Sequence, residues 1–414
     1  MIMRNSLFLK AYKYVPVLII MLVFSPIIFT YGVGKMSQAY DYMVYIILSV
    51  LVFCYYLKNR KKLSRQYKYI TSLYVLMIIY VVASCIKLFY EPSSIYPFQR
   101  MQVMCSFLSV GTIFVMMQED IFVRTLKFWW KYVPIIVLPV SIFMDKFWLV
   151  DMLQMSFLFL MLSNCITKNK RILVSLMILY MALFGISQRF DYLRIILPLV
   201  VFVFIKFHIL LGRISSKILF GFLMLLPIVL FFFAQSGKFN VFDMDSYIKG
   251  SYTSSSGENM KDDTRTILYE EAINSALDNN YLWYGRTPGY GYDSKFVAAR
   301  EGTFYAESGV FPQRNSEVFA VNMFTWTGVI GLTSWFLFFS LFGYKVLKKA
   351  RNRYIRALVV YVGFFWVCDW ISNYFVAPSS GYMLLFMVIA ICSQSKYQLM
   401  SDFEIETFFK RILR

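Results

Sequence analysis

The chain has 414 residues, of which 59% are hydrophobic and only 16% are charged, and its formal net charge is +19. A soluble domain is closer to half apolar and a quarter charged, so this composition indicates a membrane protein. The six cysteines form no C-x-x-C pair and the single histidine, His208, lies in an apolar run. These features argue against a disulfide framework, a thiolate or histidine metal site, and Ser-His or Cys-His catalysis.

Apolar runs of the length that crosses a bilayer as a helix recur along the chain. We predict an all-α polytopic integral membrane protein with about twelve transmembrane helices. The predicted spans are Val15–Tyr31, Tyr40–Leu57, Tyr69–Tyr90, Met101–Met117, Tyr132–Met144, Phe147–Ile166, Ile172–Ser187, Tyr192–Leu211, Ile218–Gln235, Val318–Tyr344, Ile355–Val376 and Gly381–Ser393. The span Tyr132–Met144 is short and contains Pro134 and Pro139, which predict a kinked or re-entrant helix.

Lysine and arginine are concentrated in alternate linkers. Segments 58–68 and 345–356 are strongly basic, whereas the opposite linkers carry isolated residues such as Lys35 and Arg100. The positive-inside rule therefore predicts that both termini are cytoplasmic. It also predicts that Ser236–Glu317, the only long polar stretch and here called the polar segment, lies on the outer side.

The polar segment divides the chain into three parts. Residues 1–235 contain nine predicted spans, 236–317 form the polar segment, and 318–414 contain three more spans and a tail. The polar segment holds eight Lys/Arg and twelve Asp/Glu, so the basic excess lies on the inner linkers. We interpret that excess as a topology signal and predict no nucleic-acid partner.

The pattern from Asp262 to Leu277 predicts an amphipathic helix that Asp262 or Asp263 can cap. Its first turn contains Arg265, where the helix dipole disfavours a cation. Arg265 is either held there for an external anion or paired locally with one of the two aspartates. The sequence leaves both interpretations open.

A stretch rich in glycine and aromatic residues, Tyr281 to Tyr292, follows this helix. Its glycines permit tight turns, and its rings, including Tyr290 and Tyr292, offer flat faces. Such faces suit sugar rings. They also suit the membrane interface, where Trp and Tyr accumulate, and that is the commoner explanation.

A short turn around Arg189, Asp191 and Arg194 joins two predicted spans on the sparsely charged side. Arginine matches phosphate through two parallel hydrogen bonds, although Asp191 can also pair with either arginine. We favour a functional role because Arg194 falls within the next span, and charges inside a membrane usually line a cavity.

Three further charged residues lie near the predicted outer face. Arg314 and Glu317 stand where the polar segment returns to the membrane. Asp369 lies within a predicted span, and we predict that it either pairs with one of the arginines or lines a substrate cavity.

Several short motifs accompany this topology. They are Ser187-Gln188-Arg189, Asp263-Thr264-Arg265, the loop from Asn279 to Gly291, Arg314-Asn315-Ser316 and Thr327 to Leu332. With these motifs the chain resembles the bacterial O-antigen polymerase/O-antigen ligase superfamily. The ligases carry an essential histidine where Arg314 stands, so the resemblance favours the polymerase branch.

The resemblance implies a GT-C-like helical fold in the bacterial inner membrane. It also implies an undecaprenyl-pyrophosphate-linked oligosaccharide as substrate, a possible chain-length regulator protein as partner, and no metal or soluble cofactor. The polymerase would join repeat units into O-antigen or capsular polysaccharide at the outer face.

Arginines near the leaving pyrophosphate would stabilise its developing charge, and a carboxylate would deprotonate the attacking hydroxyl. Glu317 and Asp191 are the candidate bases. The predicted substrate-binding residues are Arg189, Arg194, Arg265, Arg286, Arg314, Tyr290 and Tyr292.

Three other functions compete with polymerisation. The first is an O-antigen ligase. The second is a lipid-linked-sugar flippase or transporter, which predicts charges spread over many spans and two similar halves. The third is a non-enzymatic scaffold of a surface-assembly complex, which predicts that the arginines are dispensable.

Overall fold

The structure, a computed structural model, is helical apart from one pair of two-residue strands in the residues that it describes. These residues are 11–31, 35–90, 97–143, 149–185, 189–209, 211–236, 240, 265–295, 313–372 and 380–413.

The part of the chain that precedes the polar segment contains eleven described α-helices and two short 3₁₀ turns. The helices are α1 (Val15–Tyr31), α2 (Lys35–Gln66), α3 (Lys68–Tyr90), α4 (Pro97–Ser109), α5 (Thr112–Met116), α6 (Glu119–Val140), α7 (Leu149–Leu153), α8 (Ser156–Met161), α9 (Lys168–Phe184), α10 (Arg189–Phe207) and α11 (Arg213–Gln235). The 3₁₀ turns are Ala11–Tyr14 and Ser163–Cys165.

The rest of the chain begins with helix α12 of the polar segment. The elements are α12 (Arg265–Asp278), β1 (Tyr292–Asp293), β2 (Gln313–Arg314), α13 (Phe319–Lys349), α14 (Arg353–Cys368), α15 (Ser380–Ser393), α16 (Ser395–Leu399) and α17 (Asp402–Ile412).

Four of the described helices are long and apolar enough to cross a membrane. They are Met43–Gln66, Lys68–Leu88, Arg213–Gln235 and Phe319–Lys349. A fifth span results if the bent pair Arg100–Met116 and Glu119–Val140 counts as one. The chain therefore has the helices of an all-α membrane protein, and the total of twelve spans stays a prediction.

Several predicted spans differ from the structure. Met101–Met117 is divided between α4 and α5, and α14 ends at Cys368, before the predicted end at Val376. Helix α6 begins at Glu119 rather than Tyr132 and meets the preceding helix at 107°. Pro134 and Pro139 lie inside α6 as expected. The stretch predicted as one span from Phe147 to Ile166 is divided between α7, α8 and the second 3₁₀ turn. At the division, the Ser156 hydroxyl donates to the Leu153 carbonyl at 2.6 Å, which competes with the regular helical ladder.

Helix α15 lies at the centre of the bundle. Every residue from Tyr382 to Cys392 is at most 2% exposed. A helix that is apolar all round is buried on every side. Helix α15 contacts α1, α5 and α14, so it connects the N-terminal and C-terminal groups of helices.

Helix α3 runs between two chemically different ends of the bundle. Near its start, the Tyr69 ring lies 4.5 Å from Lys345 Nζ, in the second basic stretch. Near its end, Ser84 Oγ donates to the carbonyl of Pro288 in the polar segment at 2.8 Å. The helix between Tyr69 and Ser84 is about 22 Å long at 1.5 Å per residue, a large part of a bilayer core. The basic stretches and the polar segment therefore lie at opposite ends.

Candidate functional site at the polar end of the bundle

Helix α12 is amphipathic, as predicted for the residues that the structure describes. It buries Leu268 and Ala272 against Tyr292, Val318 and Val321. Leu277, the apolar residue that ends the predicted pattern, is 55% exposed, so the buried face is narrower than the apolar pattern of the sequence. The proposed caps, Asp262 and Asp263, lie outside the described residues. Arg265 is the first residue of the helix and is half-buried.

A short antiparallel pair joins the two sides of the polar segment. Strands β1 and β2 pair Tyr292 with Arg314 and Asp293 with Gln313. Glu317 follows within three residues of Arg314 and is exposed. The structure thus brings the backbones of Tyr292 and Arg314 together and places Glu317 near them in the chain.

Helix α13 is broken at Gly328, which has a φ of 64°. In an unbroken helix, the N–H groups of Val329 and Ile330 would donate to the carbonyls of Thr325 and Trp326. The aromatic loop that follows α12 supplies new partners for all four groups. The bonds are Val329 N to Leu282 O (3.0 Å), Ile330 N to Trp283 O (3.3 Å), Arg286 N to Thr325 O (2.7 Å) and Thr287 N to Trp326 O (3.0 Å). The backbone groups freed by the break are therefore all hydrogen-bonded within the protein. An irregular backbone inside a membrane needs such partners, because no water is there to supply them.

Tyr290 is only 2% exposed, and its ring contacts two cationic side chains. The Arg100 guanidinium carbon is 3.4 Å from the ring centre, and Lys87 Nζ is 4.2 Å from it. Arg100 Nη1 also donates to the Tyr290 hydroxyl at 2.6 Å. Tyr292 is fully buried, so the rings that the loop exposes are those of Trp283 and Tyr284.

Arg286 forms an ion pair inside the loop. Its Nη1 donates to Asp293 Oδ1 at 2.9 Å and its Nη2 to Asp293 Oδ2 at 2.8 Å. The guanidinium also lies 4.7 Å from the centre of the Tyr281 ring. Burial raises the pKa of Tyr281, while its hydrogen bond to Ser275 and the charge of Arg286 act in the opposite direction. These contacts hold the loop on α12.

Arg194 is the centre of a buried polar cluster. Its Nη1 donates to Asp191 Oδ1 at 3.2 Å, one turn earlier on α10. Its Nη2 donates to Asp151 Oδ1 on α7 and to Gln154 Oε1, the latter at 3.4 Å. Arg194 and Asp191 are 8% and 4% exposed. The arginine and the carboxylate that the sequence selected are thus paired with each other.

Helix α10 begins at Arg189, so the predicted turn from Arg189 to Arg194 is already helical. Asp191 and Arg194 therefore share one face, three residues apart. Gln188 lies outside the described residues.

Asp369 caps the end of α14 and is fully buried. The hydroxyl of Tyr382 donates to its Oδ1 at 3.1 Å. In the described part of the chain, its Oδ2 has no hydrogen-bond partner. Arg194 lies close enough to act electrostatically on the preceding residue, Cys368, but forms no ion pair with Asp369 among those residues.

An apolar cleft of about 320 Å³ lies between α11, α12 and the end of α14. Its apolar lining includes Leu230, Phe231 and Trp370, and Glu270 and Asn274 supply polar groups. Tyr269 also lines the cleft, and its hydroxyl donates to the Trp370 carbonyl at 2.8 Å. Arg265 stands four residues before Tyr269 on the same face of α12, so it lies beside the cleft. Burial raises the pKa of Tyr269, and the charge of Arg265 lowers it.

Sequence reasoning did not assign Lys87, Arg100, Asp151 or Gln154 to the site. The charge pattern gave Arg100 only as an isolated linker residue, and Lys87 lies at the end of the predicted span Tyr69–Tyr90. Both residues lie on the side of the chain's topology where lysine and arginine are rare. A cation there that has no evident role in topology is a signal for a site residue. Asp151 lies within a predicted span. Charged residues are rare inside membrane spans, so its position there was the signal that could have identified it.

Among the described residues, no three His, Cys, Asp or Glu side chains form a group that could hold a metal ion. No family model, curated protein or solved structure matches the chain.

Proposed function

We propose that the protein is a membrane glycosyltransferase that polymerises undecaprenyl-pyrophosphate-linked oligosaccharide repeat units. The observation that carries this proposal is the apolar cleft beside Arg265. A lipid-linked pyrophosphate has an apolar chain joined to a strongly anionic group. An apolar cleft with a guanidinium at its edge offers a matching surface to both parts.

The arrangement of the polar segment supports the same proposal. Helix α12 is fixed on the ends of membrane helices, and the paired strands bring the Arg314 backbone to the loop that carries Arg286. In the proposed reaction, a sugar hydroxyl attacks the anomeric carbon of the lipid-linked chain, and the bond to pyrophosphate breaks. Arg265, Arg189 and Arg314 would stabilise the departing charge, and exposed Glu317 would accept the hydroxyl proton.

The other predicted site residues take structural roles in this proposal. Arg286 is paired with Asp293, and Arg194 is paired with Asp191. Tyr290 and Tyr292 are buried, so we propose that the exposed rings of Trp283 and Tyr284 contact the sugars instead.

Two leucines on α11 provide a matched test. Leu230 lines the cleft, whereas Leu225 is 54% exposed and is not among the lining residues. We expect Leu230→Trp to fill the cleft and shorten the polymer, and Leu225→Trp to leave polymer length unchanged. Polymer length is measured on a gel at equal levels of membrane-inserted protein.

The arginines are tested in the same assay. Replacing Arg265, Arg189 or Arg314 by Ala should each cost about 1.5–3 kcal/mol of transition-state stabilisation, the range for charged hydrogen bonds. Normal long polymers in all three variants would contradict the proposed function. So would a purified protein that moves lipid-linked sugar between leaflets but never elongates it.

A further inference from the structure

A second, more polar pocket lies at the basic end of the bundle, opposite the apolar cleft. It has a volume of about 340 Å³. Its lining residues are Tyr12, Tyr55, Lys58, Asn59, Lys62, Leu63, Gln66, Tyr67, Met117 and Gln118. Two lysines, three amide side chains and three tyrosines make this lining rich in hydrogen-bond donors.

The two lysines share one face of α2, because they are four residues apart. Both are exposed, and within the described part of the chain neither forms an ion pair. Segment 58–68 contains six lysines and arginines and no acidic residue. The positive charge of Lys58 and Lys62 is therefore not neutralised within the pocket lining.

The wall of the pocket is held in place by contacts of Tyr55. Gln118 Nε2 donates to the Tyr55 hydroxyl at 2.7 Å. Asn59 Nδ2 donates to the Tyr55 carbonyl at 2.9 Å, and the Tyr12 ring packs edge-on against Tyr55 at 5.0 Å. A pocket fixed by its own hydrogen bonds loses little entropy when it binds a ligand.

Two acidic residues follow the pocket at the start of α6. Glu119 is paired with Lys396 at 2.6 Å, so its charge is largely compensated. Asp120 is exposed and is not among the lining residues. The N-terminal end of α6, at Gln118, adds the partial positive charge of a helix start. The balance of charge at the pocket favours an anion.

The pocket also adjoins a surface suited to a lipid chain. Met43, Ile47, Val50 and Leu57 are 41–52% exposed and fall on one face of α2. This helix is one of the candidate spans, and its apolar face leads towards Lys58. Basic pockets at the ends of membrane helices are suited to acidic lipid headgroups.

We propose that the pocket binds a phosphate-bearing anion and that its source is the headgroup of an anionic membrane lipid. Lys58 and Lys62 contact the phosphate oxygens. The amides and tyrosine hydroxyls donate to the rest of the headgroup, and the acyl chains lie along the apolar face of α2. This site is at the end of the bundle opposite the proposed glycosyl-transfer site and does not depend on it.

The experiment measures binding to the purified full-length protein in detergent. The probes are dioctanoyl-phosphatidylglycerol, dioctanoyl-phosphatidylcholine and sn-glycerol 1-phosphate. Lys58→Gln/Lys62→Gln removes the pocket charges. Lys61→Gln/Arg65→Gln is the matched control, since it removes two exposed charges four residues apart on α2 that do not line the pocket. All four positions are exposed, so both double variants should keep their fold.

We expect the pocket variant to bind phosphatidylglycerol about tenfold more weakly or worse, and the control less than about threefold more weakly. Phosphatidylcholine should bind weakly and equally to all forms. If glycerol phosphate competes at similar concentration, the phosphate site stands and its source is a soluble ligand. Equal weakening in both double variants, or equal affinity for the two lipids, would overturn the proposal.

Discussion

Arg100 and Tyr290 lie 190 positions apart in the chain, yet the guanidinium of one covers the ring of the other at 3.4 Å and bonds to its hydroxyl. The contact joins α4 to the aromatic loop of the polar segment. Gly289, with a φ of 88°, makes the approach possible, because a Cβ there would lie 2.5 Å from the Arg100 Cα. The loop is therefore fixed on α4 by contacts within the protein.

Replacing Arg100 by Ala should destabilise the protein by about 2 kcal/mol or more, since it removes a buried cation–π contact and a charged hydrogen bond. Tyr290→Phe keeps the ring and should cost less. Chemical unfolding in detergent gives the two free energies, and limited proteolysis reports release of the loop. A larger loss in Tyr290→Phe than in Arg100→Ala would contradict this account.

The break in α13 predicts a strong effect at Gly328. Its φ of 64° disfavours any side chain, and a Cβ would lie 2.2 Å from the Trp283 carbonyl oxygen. With its ψ of −167°, Gly328 occupies a region that essentially only glycine adopts, so Gly328→Ala should destabilise the protein by more than about 2 kcal/mol. We expect a lower unfolding temperature and faster cleavage of the loop.

Gly221 in α11 is the matched control, because a Cβ there meets nothing within 4 Å. Gly221→Ala should be neutral or stabilise by up to about 1 kcal/mol, since alanine favours the helix. Equal effects of the two substitutions would show that the break does not depend on Gly328.

The sequence predicted the helical class, the amphipathic helix α12 and the one-sided distribution of basic residues, because these follow from periodicity and local charge. It did not predict the bend before α6 or the division near Ser156. The Ser156–Leu153 bond at the division is local, but hydropathy alone does not mark it. Trp283 and Tyr284 are exposed, whereas Tyr290 and Tyr292 are buried. Which of these rings is exposed depends on how the loop packs against the helices.

The sequence also could not predict all the ion-pair partners of the arginines. For Arg194, the sequence offered pairing with Asp191, but Asp151 lies 43 positions away on another helix. For Arg286, the partner Asp293 lies beyond two glycines whose turns set the distance. A charged residue can be selected from a sequence, whereas its partner depends on the fold.

The Arg286–Asp293 pair predicts a measurable coupling. Arg286→Ala leaves a partly buried carboxylate without its bidentate partner and should cost about 1.5–3 kcal/mol. Asp293→Asn should cost a similar amount, and the double variant less than the sum of the two. A double-mutant cycle on chemical unfolding measures the coupling. Strictly additive effects would mean that the pair contributes nothing of its own.

Arg286→Lys tests the geometry of the same pair. Lysine keeps the charge but cannot form two parallel bonds, so it should recover only part of the lost stability. Full recovery would show that charge alone matters at this position.

Glu404 predicts a pH dependence at the C-terminal helix α17. Hydrogen bonds from the Ser401 backbone and hydroxyl lower the pKa of Glu404, which forms a capping box with Ser401. A carboxyl group with a lower pKa in the folded state adds stability above its unfolded pKa and loses it as the pH falls through the folded pKa. The contribution should therefore be present at neutral pH and vanish in the acid range.

The measurement compares the stability of the protein with that of Glu404→Gln as the pH falls from 7 to 3. Glutamine keeps a capping acceptor but does not titrate, so the difference between the two proteins should shrink at low pH. Ser401→Ala, which removes the hydroxyl donor, should reduce the same difference. A constant difference across the range would contradict the assignment.

The buried cluster of Arg194, Asp191 and Asp151 gives the largest predicted effect. Arg194→Ala removes the guanidinium from the largely buried carboxylates of Asp191 and Asp151, and should cost about 3–5 kcal/mol. Adding Asp191→Asn and Asp151→Asn removes the uncompensated charges and should restore much of the stability. Unfolding in detergent of the single and triple variants measures both steps. If the triple variant is no more stable than Arg194→Ala, the loss comes from packing of the arginine side chain rather than from buried charge.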